Sequence, residues 1–147
     1  MAGSVTFAMV KPDAVASGNS GKILAHLEAA GFAIAAMRLV RLSRVEAEAF
    51  YAVHRGRPFF DELVEFMSSG SAIALMLTAP EAVSAWRTAI GATDPAEADP
   101  GTIRQRFAES KGRNAVHGSD SDENALREIA FFFTERELAG LGILIPA

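Results

Sequence analysis

The sequence predicts an α+β fold, in which a four-stranded antiparallel sheet has helices packed against it. Apolar runs of strand length alternate with segments whose apolar residues recur at helical spacing. Glycine and proline stand at most of the boundaries between these segments. The chain has 147 residues, of which 50% are hydrophobic and 22% are charged, so we expect residues 1–147 to form a single domain around one core.

The first elements of the chain have clear boundaries. Residues Val5 to Val10 are expected to form a buried strand that stops at Pro12, which has no N–H to donate to a sheet. The apolar spacing predicts a helix from Ser20 to Ala30, ended by Gly31. The unbroken apolar segment from Phe32 to Leu42 predicts a second strand.

The middle of the chain is predicted to form two helices, a strand and a further helix. Ser43 and Glu46 form a capping box that opens a helix with the core-facing residues Ala49, Phe50 and Val53. A shorter helix is expected to begin near Phe59, with its apolar face formed by Phe60, Leu63, Val64 and Met67. Ala72 to Leu77 has the apolar run of a central strand. Pro80 is expected to begin a helix lined by Val83, Trp86 and Ile90.

The last third of the chain has a weaker pattern. A short helix is expected within Thr102 to Glu109, followed by a short strand from Ala115 to His117. The final long helix would start near the candidate caps Ser119 and Ser121, and its apolar stripe comprises Leu126, Ile129, Ala130 and Phe133. The simplest architecture for this order of elements is a ferredoxin-like sandwich.

The composition excludes several classes of protein. The absence of cysteine excludes disulfides and thiolate metal sites. A net charge of −4 argues against a general nucleic-acid binder, so no specific nucleic-acid partner is expected. The N-terminus lacks the basic and apolar regions of a signal peptide, and the longest uncharged stretch, residues 66–80, is too short to span a bilayer. We therefore expect a cytoplasmic protein without a membrane partner.

Of the three histidines, His117 is the candidate nucleophile. It lies between the end of a predicted strand and the start of a helix, a position where α/β proteins bind ligands. An imidazole can attack phosphorus if its orientation and tautomer are fixed, and Ser119 and Glu128 could fix them. From spacing alone, a turn with capping serines is an equal alternative, and Glu128 could be a solvated residue. The position of His26 favours a structural or surface role, and His54 could be a cation at the C-terminal end of a helix.

Cationic side chains accumulate just before His117. Between residues 102 and 113 a single acid, Glu109, accompanies the cations Arg104, Arg106, Lys111 and Arg113. Lys11 and Arg87 could join them in one cleft of the predicted sandwich. Cations grouped beside a histidine nucleophile suit a polyphosphate. The alternative for each of them is a surface salt bridge that contributes little.

An aromatic pair follows Arg57-Pro58, and its two members differ in their expected environment. Phe60 fits the apolar face of its helix, whereas Phe59 falls off that face and is expected to be exposed. An exposed aromatic ring can stack on any nucleobase, although partial burial against a loop is equally consistent with the spacing. The P-loop motif and the protein-kinase signatures are absent, so any phosphoryl transfer must use another design.

Short motifs spread along nearly the whole chain occur together and in order. They are Thr6 to Asp13, Tyr51, Arg57 to Phe60, Met67 to Gly70, Gly91 to Pro95, Asp99 to Arg104, Asn114 to Ser121 and Glu128 to Ala130. Together these motifs resemble the nucleoside diphosphate kinases, and the family fold agrees with the predicted sandwich. The His117 motif and the Pro-Gly-Thr-Ile-Arg motif are the most specific.

The resemblance implies an enzyme that passes the terminal phosphate of a nucleoside triphosphate to a nucleoside diphosphate. The implied mechanism is ping-pong, through phosphorylated Nδ1 of His117, with broad base and sugar tolerance and a role in maintaining NTP and dNTP pools. Ser119 and Glu128 would orient the histidine, and Lys11 with Tyr51 would steady the transferred group. The implied nucleotide contacts are Lys11, Arg87, Thr93 and Arg104 to phosphates, Asn114 to the sugar and phosphate region, and Phe59 with Leu63 to the base. Mg²⁺ would be carried by the nucleotide phosphates.

The resemblance also implies a homo-oligomer, either a tetramer or a hexamer. In the family, the apolar tail, here Ala139 to Ala147, and the loop near Pro95 support oligomers, although the tail could pack on its own subunit. Ser17 replaces a common arginine and Arg106 a common acid, changes that could affect loop anchoring or subunit contacts. Two other functions compete: a nucleotide sensor, which would need no nucleophile, and a nucleic-acid scaffold, which the acidic charge disfavours.

Overall fold

The sheet confirms the predicted fold class. A computed structural model describes residues 3–143 of the chain. Within those residues, four strands form one sheet in the order β2-β3-β1-β4, and each neighbouring pair is antiparallel. The strands are β1 (Val5–Val10), β2 (Ala33–Arg41), β3 (Ser71–Thr78) and β4 (Val116–Gly118).

Helices cover both faces of this sheet. In chain order they are α1 (Pro12–Ala16), α2 (Ser20–Ala29), α3 (Arg44–Phe50), a 3₁₀ turn (Ala52–His54), α4 (Phe60–Met67), α5 (Ala82–Ile90), α6 (Ile103–Phe107), α7 (Asp122–Phe132) and α8 (Glu135–Gly140). Buried residues of α3, α4, α7 and α8 form one apolar cluster, and those of α1, α2, α5 and α6 form a second. The sheet lies between the two clusters.

Strand β1 explains why the central strands have no polar alternation. Phe7 and Met9 belong to one apolar cluster, whereas Ala8 and Val10 belong to the other. Because successive side chains of a strand point to opposite faces, a strand covered on both sides needs apolar residues at every position. The same condition applies to β3, which pairs with both β1 and β2.

Strand β2 was predicted from a similar apolar run but lies at an edge of the sheet. It pairs with β3 and carries a bulge between Ile34 and Ala36. The side chains of Met37 and Leu39 are 52% and 70% exposed. An apolar segment therefore predicted the strand correctly, but not the environment of its outer residues.

The predicted core face of α3 is wrong at two positions. Ala49 and Val53 were expected to face the core, but both are exposed, and Val53 is 73% exposed. The buried residues are Ala47, Phe50 and Tyr51, which follow the spacing of an α-helix. The helix ends at Phe50 and a 3₁₀ turn follows, so the helical stripe does not continue to Val53. Ala130 of α7 is exposed for the related reason that it lies off the stripe of Ala125 and Ile129.

Two short helices were not predicted. Helix α1 starts at Pro12, because proline is favoured in the first turn of a helix as well as at the end of a strand. Helix α8 begins with a capping box formed by Thr134 and Glu137. The helix expected from Pro80 begins at Ala82, after Glu81 adopts a left-handed conformation. Part of the apolar tail, residues 144–147, lies outside the described residues.

Candidate active site

The short edge strand β4 carries His117 into the structure. His117 lies opposite Met9 of β1, and its carbonyl oxygen accepts a hydrogen bond of 3.1 Å from Nε1 of Trp86. A Cβ atom at Gly118 would lie 2.8 Å from Cδ1 of Trp86. Glycine at this position thus permits the close approach of α5 to β4.

One carboxylate oxygen accepts hydrogen bonds from both the imidazole and a neighbouring hydroxyl. Nε2 of His117 donates to Oε1 of Glu128 over 3.0 Å, and the hydroxyl of Ser119 donates to the same oxygen over 2.5 Å. Burial acts to raise the pKa of Glu128, but the hydrogen bond and charge of His117 and the bond from Ser119 together hold that pKa below its usual value. The carboxylate form is therefore favoured, and it requires the proton of the imidazole to be on Nε2. Within residues 3–143, no protein group binds Nδ1.

Aromatic rings surround the same imidazole. The ring centroids of Phe7, Phe50 and Tyr51 lie 5.8, 5.7 and 6.4 Å from that of His117. The phenol oxygen of Tyr51 is buried and has no hydrogen-bond partner among the described residues. Burial, followed by the charge of Glu128, raises the pKa of Tyr51, so its hydroxyl remains a neutral donor.

A strained turn fixes the residues on either side of β1 and β4. Ala115 has a φ of 73°, and the N–H of Val116 bonds across it to the carbonyl of Asn114 at 2.8 Å. The carboxylate of Asp13 accepts the N–H of Ala115 at 3.1 Å, and the N–H of Lys11 donates to the Ala115 carbonyl at 2.8 Å. Sequence reasoning missed Asp13 and Ala115, because no local pattern predicts a positive φ at alanine.

Lys11 lies beside this turn, at the end of β1. Its ammonium group donates to Oδ1 of Asn114 over 2.9 Å. Burial and, to a smaller extent, the charge of Arg104 lower the pKa of Lys11 to about 8, against the opposing effect of Asp13. The side chain is thus a desolvated cation whose charge is poorly compensated in the free protein.

Arg104 is the second buried cation. Its guanidinium donates to the carbonyls of Gly91 and Val116, each at 3.0 Å. Burial and the charge of Arg87 lower the pKa of Arg104 to about 10. It lines a cavity of about 370 Å³ together with residues that include Arg87 and Thr93. Adjacent cations in a concave site favour an anionic ligand.

A row of ring contacts, a ladder formed by Tyr51, His54 and Phe59, leads from the imidazole to the surface. The ring of His54 lies 6.3 Å from that of Tyr51 and 5.3 Å from that of Phe59. Phe59 is 45% exposed, as expected from its position off the helical face, and the N–H of Leu63 bonds to its carbonyl. Leu63 itself is partly buried against the adjacent core. The sequence indicated His54 only as a cation at the end of a helix, and its place between Tyr51 and Phe59 was not predicted.

Comparison with known proteins decides the family. Residues 4–138 match the family described as Nucleoside diphosphate kinase. The chain is 52% identical over 135 residues to a nucleoside diphosphate kinase of Trichlorobacter lovleyi, covering 92% of this chain and 98% of the relative. It is 56% identical over 134 residues to one of Sulfurimonas denitrificans, covering 91% and 98% respectively. The chain belongs to the nucleoside diphosphate kinase family. Its enzyme class is therefore that of a phosphotransferase.

Solved structures of nucleoside diphosphate kinases share the fold. The Aquifex aeolicus enzyme aligns with a TM-score of 0.89 at 47% identity, over 91% of this chain and 97% of that one. The Halobacterium salinarum enzyme, solved in complex with CDP, aligns with a TM-score of 0.84 at 40% identity, over 90% of this chain and 89% of that one.

Not all of the cations that precede His117 lie at the candidate site. Arg106 points to α2, where its guanidinium donates to Nδ1 of His26 over 2.7 Å. The guanidinium of Arg113 lies over the ring of Phe66, 5.3 Å from its centroid. Lys111 is exposed. The predicted cluster thus divides, because residues in an α-helix and in a turn point in different directions.

The helices and the cavity lining bear on whether the chain could span a membrane and on which ligand the cavity suits. Within residues 3–143, no helix is both long and apolar enough to cross a membrane. The polar side chains that line the cavity are two cations, Arg87 and Arg104, two hydroxyls, Thr88 and Thr93, and one carboxylate, Asp99. The cations and hydroxyls are donors that suit phosphate oxygens.

Proposed function

We propose that the chain transfers phosphate by a ping-pong mechanism in which Nδ1 of His117 is the nucleophile. The observation that carries this proposal is the hydrogen bond from Nε2 of His117 to Glu128, at 3.0 Å. It places the proton on Nε2 and leaves the lone pair on Nδ1, and Ser119 holds the carboxylate that keeps this tautomer. A histidine held by a third group is the arrangement expected of an activated nucleophile.

The two half-reactions balance without any further reactant. In the first, a bond forms between Nδ1 and the γ-phosphorus while the bond to the bridging oxygen breaks, and a nucleoside diphosphate leaves. In the second, a terminal oxygen of another nucleoside diphosphate attacks the phosphohistidine, and Nδ1 leaves. The same groups act in both directions, so one site serves both donor and acceptor.

The phosphates would be bound by the cations that lie around the cavity. Arg87, Thr93 and Arg104 line it, and the charge of Arg104 also reaches Lys11. We assign the phosphate chain to these residues, and the transferred group to Lys11 with the neutral phenol of Tyr51. Asn114, bonded to Lys11, would contact the sugar and the adjacent phosphate.

The base would stack on the exposed ring of Phe59, with Leu63 beside it. Stacking uses the face of a base, and every base has such a face, so this contact does not discriminate between them. Broad base and sugar tolerance is therefore part of the proposal. Such tolerance would let the enzyme maintain NTP and dNTP pools, which are dissolved in the cytoplasm.

Magnesium belongs to the proposal as an ion carried by the nucleotide. Lys11, Arg87 and Arg104 repel a bare cation but attract the phosphates that hold one. Bound Mg²⁺ would neutralise part of the charge of the phosphate chain as the terminal group departs. The protein residues would bind the remaining phosphate oxygens and hold the phosphate chain of the nucleotide in line with His117.

A homo-oligomer, tetramer or hexamer, is also proposed. The exposed side chains of Met37 and Leu39 lie on an edge strand, which presents unpaired backbone groups together with apolar surface. Both features suit pairing with a second copy of the chain. Light scattering of the purified protein distinguishes the two oligomers, and a monomer would contradict the proposal.

The deciding experiment is the intact mass of the protein after brief incubation with ATP and Mg²⁺ at neutral pH. We expect a gain of one phosphoryl group, which disappears when a nucleoside diphosphate is added. His117→Ala should gain none while still binding ADP, and His26→Ala, which removes a histidine outside the site, should behave like the natural chain. A protein that binds the nucleotide but gains no phosphoryl group would instead favour a nucleotide sensor.

A further inference from the structure

Phe50 occupies the centre of the aromatic cluster beside the imidazole. It is the last residue of α3, and its side chain is fully enclosed. Its ring centroid lies within 6 Å of the rings of Phe7, Tyr51, His117, Phe131 and Phe132. No motif in the sequence singles out this phenylalanine, and it binds no part of the nucleotide in the proposed function.

The hydrogen bond to Glu128 alone does not fix the plane of the imidazole. A single contact at Nε2 still tolerates small rotations of the ring about the Cβ–Cγ bond of His117, and these rotations displace Nδ1, which lies off that axis. The ring of Phe50 meets that of His117 at 69°, with centroids 5.7 Å apart. This edge-to-face contact restricts the rotation of the imidazole, because the interior is closely packed. The ring of Phe7, whose plane is inclined at 59° to the imidazole, restricts it as well.

Phe50 also packs against α7, the helix that carries the carboxylate of Glu128. Its ring contacts Phe131 and Phe132 at centroid distances of 5.3 and 5.2 Å, and both belong to α7, as does Glu128. The neighbouring residue Tyr51 meets it edge-on at 4.9 Å. One side chain therefore contacts both the imidazole and the helix that orients it.

We propose that Phe50 is a positioning residue, whose ring sets the plane of the His117 imidazole and so aims Nδ1 at the phosphorus. This inference rests on the proposed function, in which Nδ1 attacks. It assigns Phe50 no contact with the nucleotide. Removing the ring should therefore lower the rate of phosphoryl transfer without weakening nucleotide binding.

The expected effect is large because transfer depends steeply on alignment. A misplacement of about 1 Å at a reacting atom can cost about a hundredfold in rate. We expect Phe50→Leu to slow phosphorylation of His117 by about tenfold to a hundredfold in single turnovers at saturating ATP and Mg²⁺. The dissociation constant for ADP should change by less than about twofold, because the rings and cations assigned to the nucleotide remain.

Phe133→Leu is the matched control. Phe133 is buried in the same apolar cluster, at the end of α7, but its ring makes no contact with His117 among the described residues. The same chemical change at this position should reduce stability to a similar extent while leaving the phosphorylation rate near that of the natural chain. Phe50→Met, a second ring-less variant that fills the site more flexibly, guards against a failure of Phe50→Leu to fold.

A second readout does not require turnover. NMR relaxation of the imidazole C–H groups of His117, in the nucleotide-free protein, reports how tightly the plane of the ring is held. We expect the natural chain and Phe133→Leu to show a rigid imidazole, and both Phe50 variants to show a lower order parameter for the same ring. Transfer rates and imidazole signals in the Phe50 variants equal to those of Phe133→Leu would overturn the inference. If the natural chain forms no phosphohistidine, the proposed function fails, while the imidazole signals still test the positioning role of Phe50.

Discussion

Nε2 of His117 and Oε1 of Glu128 lie 3.0 Å apart, although the two residues belong to different elements. His117 is held on β4 by pairing with β1, and Glu128 faces inward from α7. Ser119 donates to the same carboxylate oxygen, so the acceptor is itself fixed. This arrangement selects one tautomer of the imidazole before any substrate arrives.

Glu128→Gln is expected to lower kcat by about tenfold or more, since a misassigned tautomer removes the nucleophile from part of the population. A glutamine amide can donate to Nε2 as well as accept from it, so it no longer requires the proton to be there. Steady-state assays with ATP and a diphosphate acceptor measure the change. Ser119→Ala, which removes one hydrogen bond worth about 1 kcal/mol, should cost about fivefold. Equal activity of Glu128→Gln and the natural chain would refute the orienting role.

Lys11→Met is expected to raise the free energy of unfolding at pH 7 by about 1–2 kcal/mol while abolishing turnover. Burial and Arg104 make the charged form of Lys11 unfavourable in the folded protein, and methionine removes that cost. Urea unfolding without nucleotide measures the difference. The loss of the hydrogen bond to Asn114 keeps the gain below the full value implied by the pKa.

The same gain should depend on pH. The folded pKa of Lys11 is about 8, below the ordinary value of 10.5, so the unfolded chain binds more protons between these two values. The natural protein therefore gains stability from Lys11 as pH rises through that window, and the advantage of Lys11→Met should shrink. Lys22→Met, at an exposed position of α2, is the control and should show no such trend. A constant advantage from pH 7 to 10 would mean that Lys11 is not the source.

Local patterns predicted most of the fold. The strands β1 and β3 follow from apolar runs of strand length, and Ser43 with Glu46 fixed the start of α3 through a capping box that the structure contains. The errors lie where local spacing has two meanings. Pro12 can end a strand or begin a helix, and an apolar run such as β2 can be central or an exposed edge.

The candidate site was less accessible to local reasoning. Its pairings join distant parts of the chain: Lys11 and Asn114 are 103 residues apart, and Asp13 and Ala115 are 102 apart. Only the tertiary fold brings such residues together, so the sequence indicated Lys11 and Asn114 through family resemblance rather than spacing, and it did not indicate Asp13 or Ala115. The positions of Phe50 and His54 among the rings near His117 were not predicted, because a buried phenylalanine and a histidine at a helix end have ordinary structural explanations.

Ala115→Gly is expected to change the free energy of unfolding by less than about 1 kcal/mol. Relief of the positive φ should contribute about 1–2 kcal/mol, which offsets the larger chain entropy of glycine and the lost methyl group. Ala125→Gly is the matched control: Ala125 is also buried, but it lies within α7. There the substitution should cost at least about 1 kcal/mol, since nothing offsets the loss of helix propensity. Thermal unfolding of the two variants compares them, and equal losses would show that Ala115 is unstrained.

Phe59→Ala should weaken the binding of ADP, GDP and CDP alike, by about fivefold to a hundredfold, the range expected when a stacking ring of about 1–3 kcal/mol is lost. The ring is 45% exposed and stands at the outer end of the ladder formed with His54 and Tyr51, so its removal disturbs little of the core. Calorimetric titration gives the three dissociation constants. Leu141→Ala, which shortens a comparably exposed apolar side chain after α8, should leave all three unchanged. A loss confined to one base would indicate recognition of base edges, because stacking on a ring face acts on all of them.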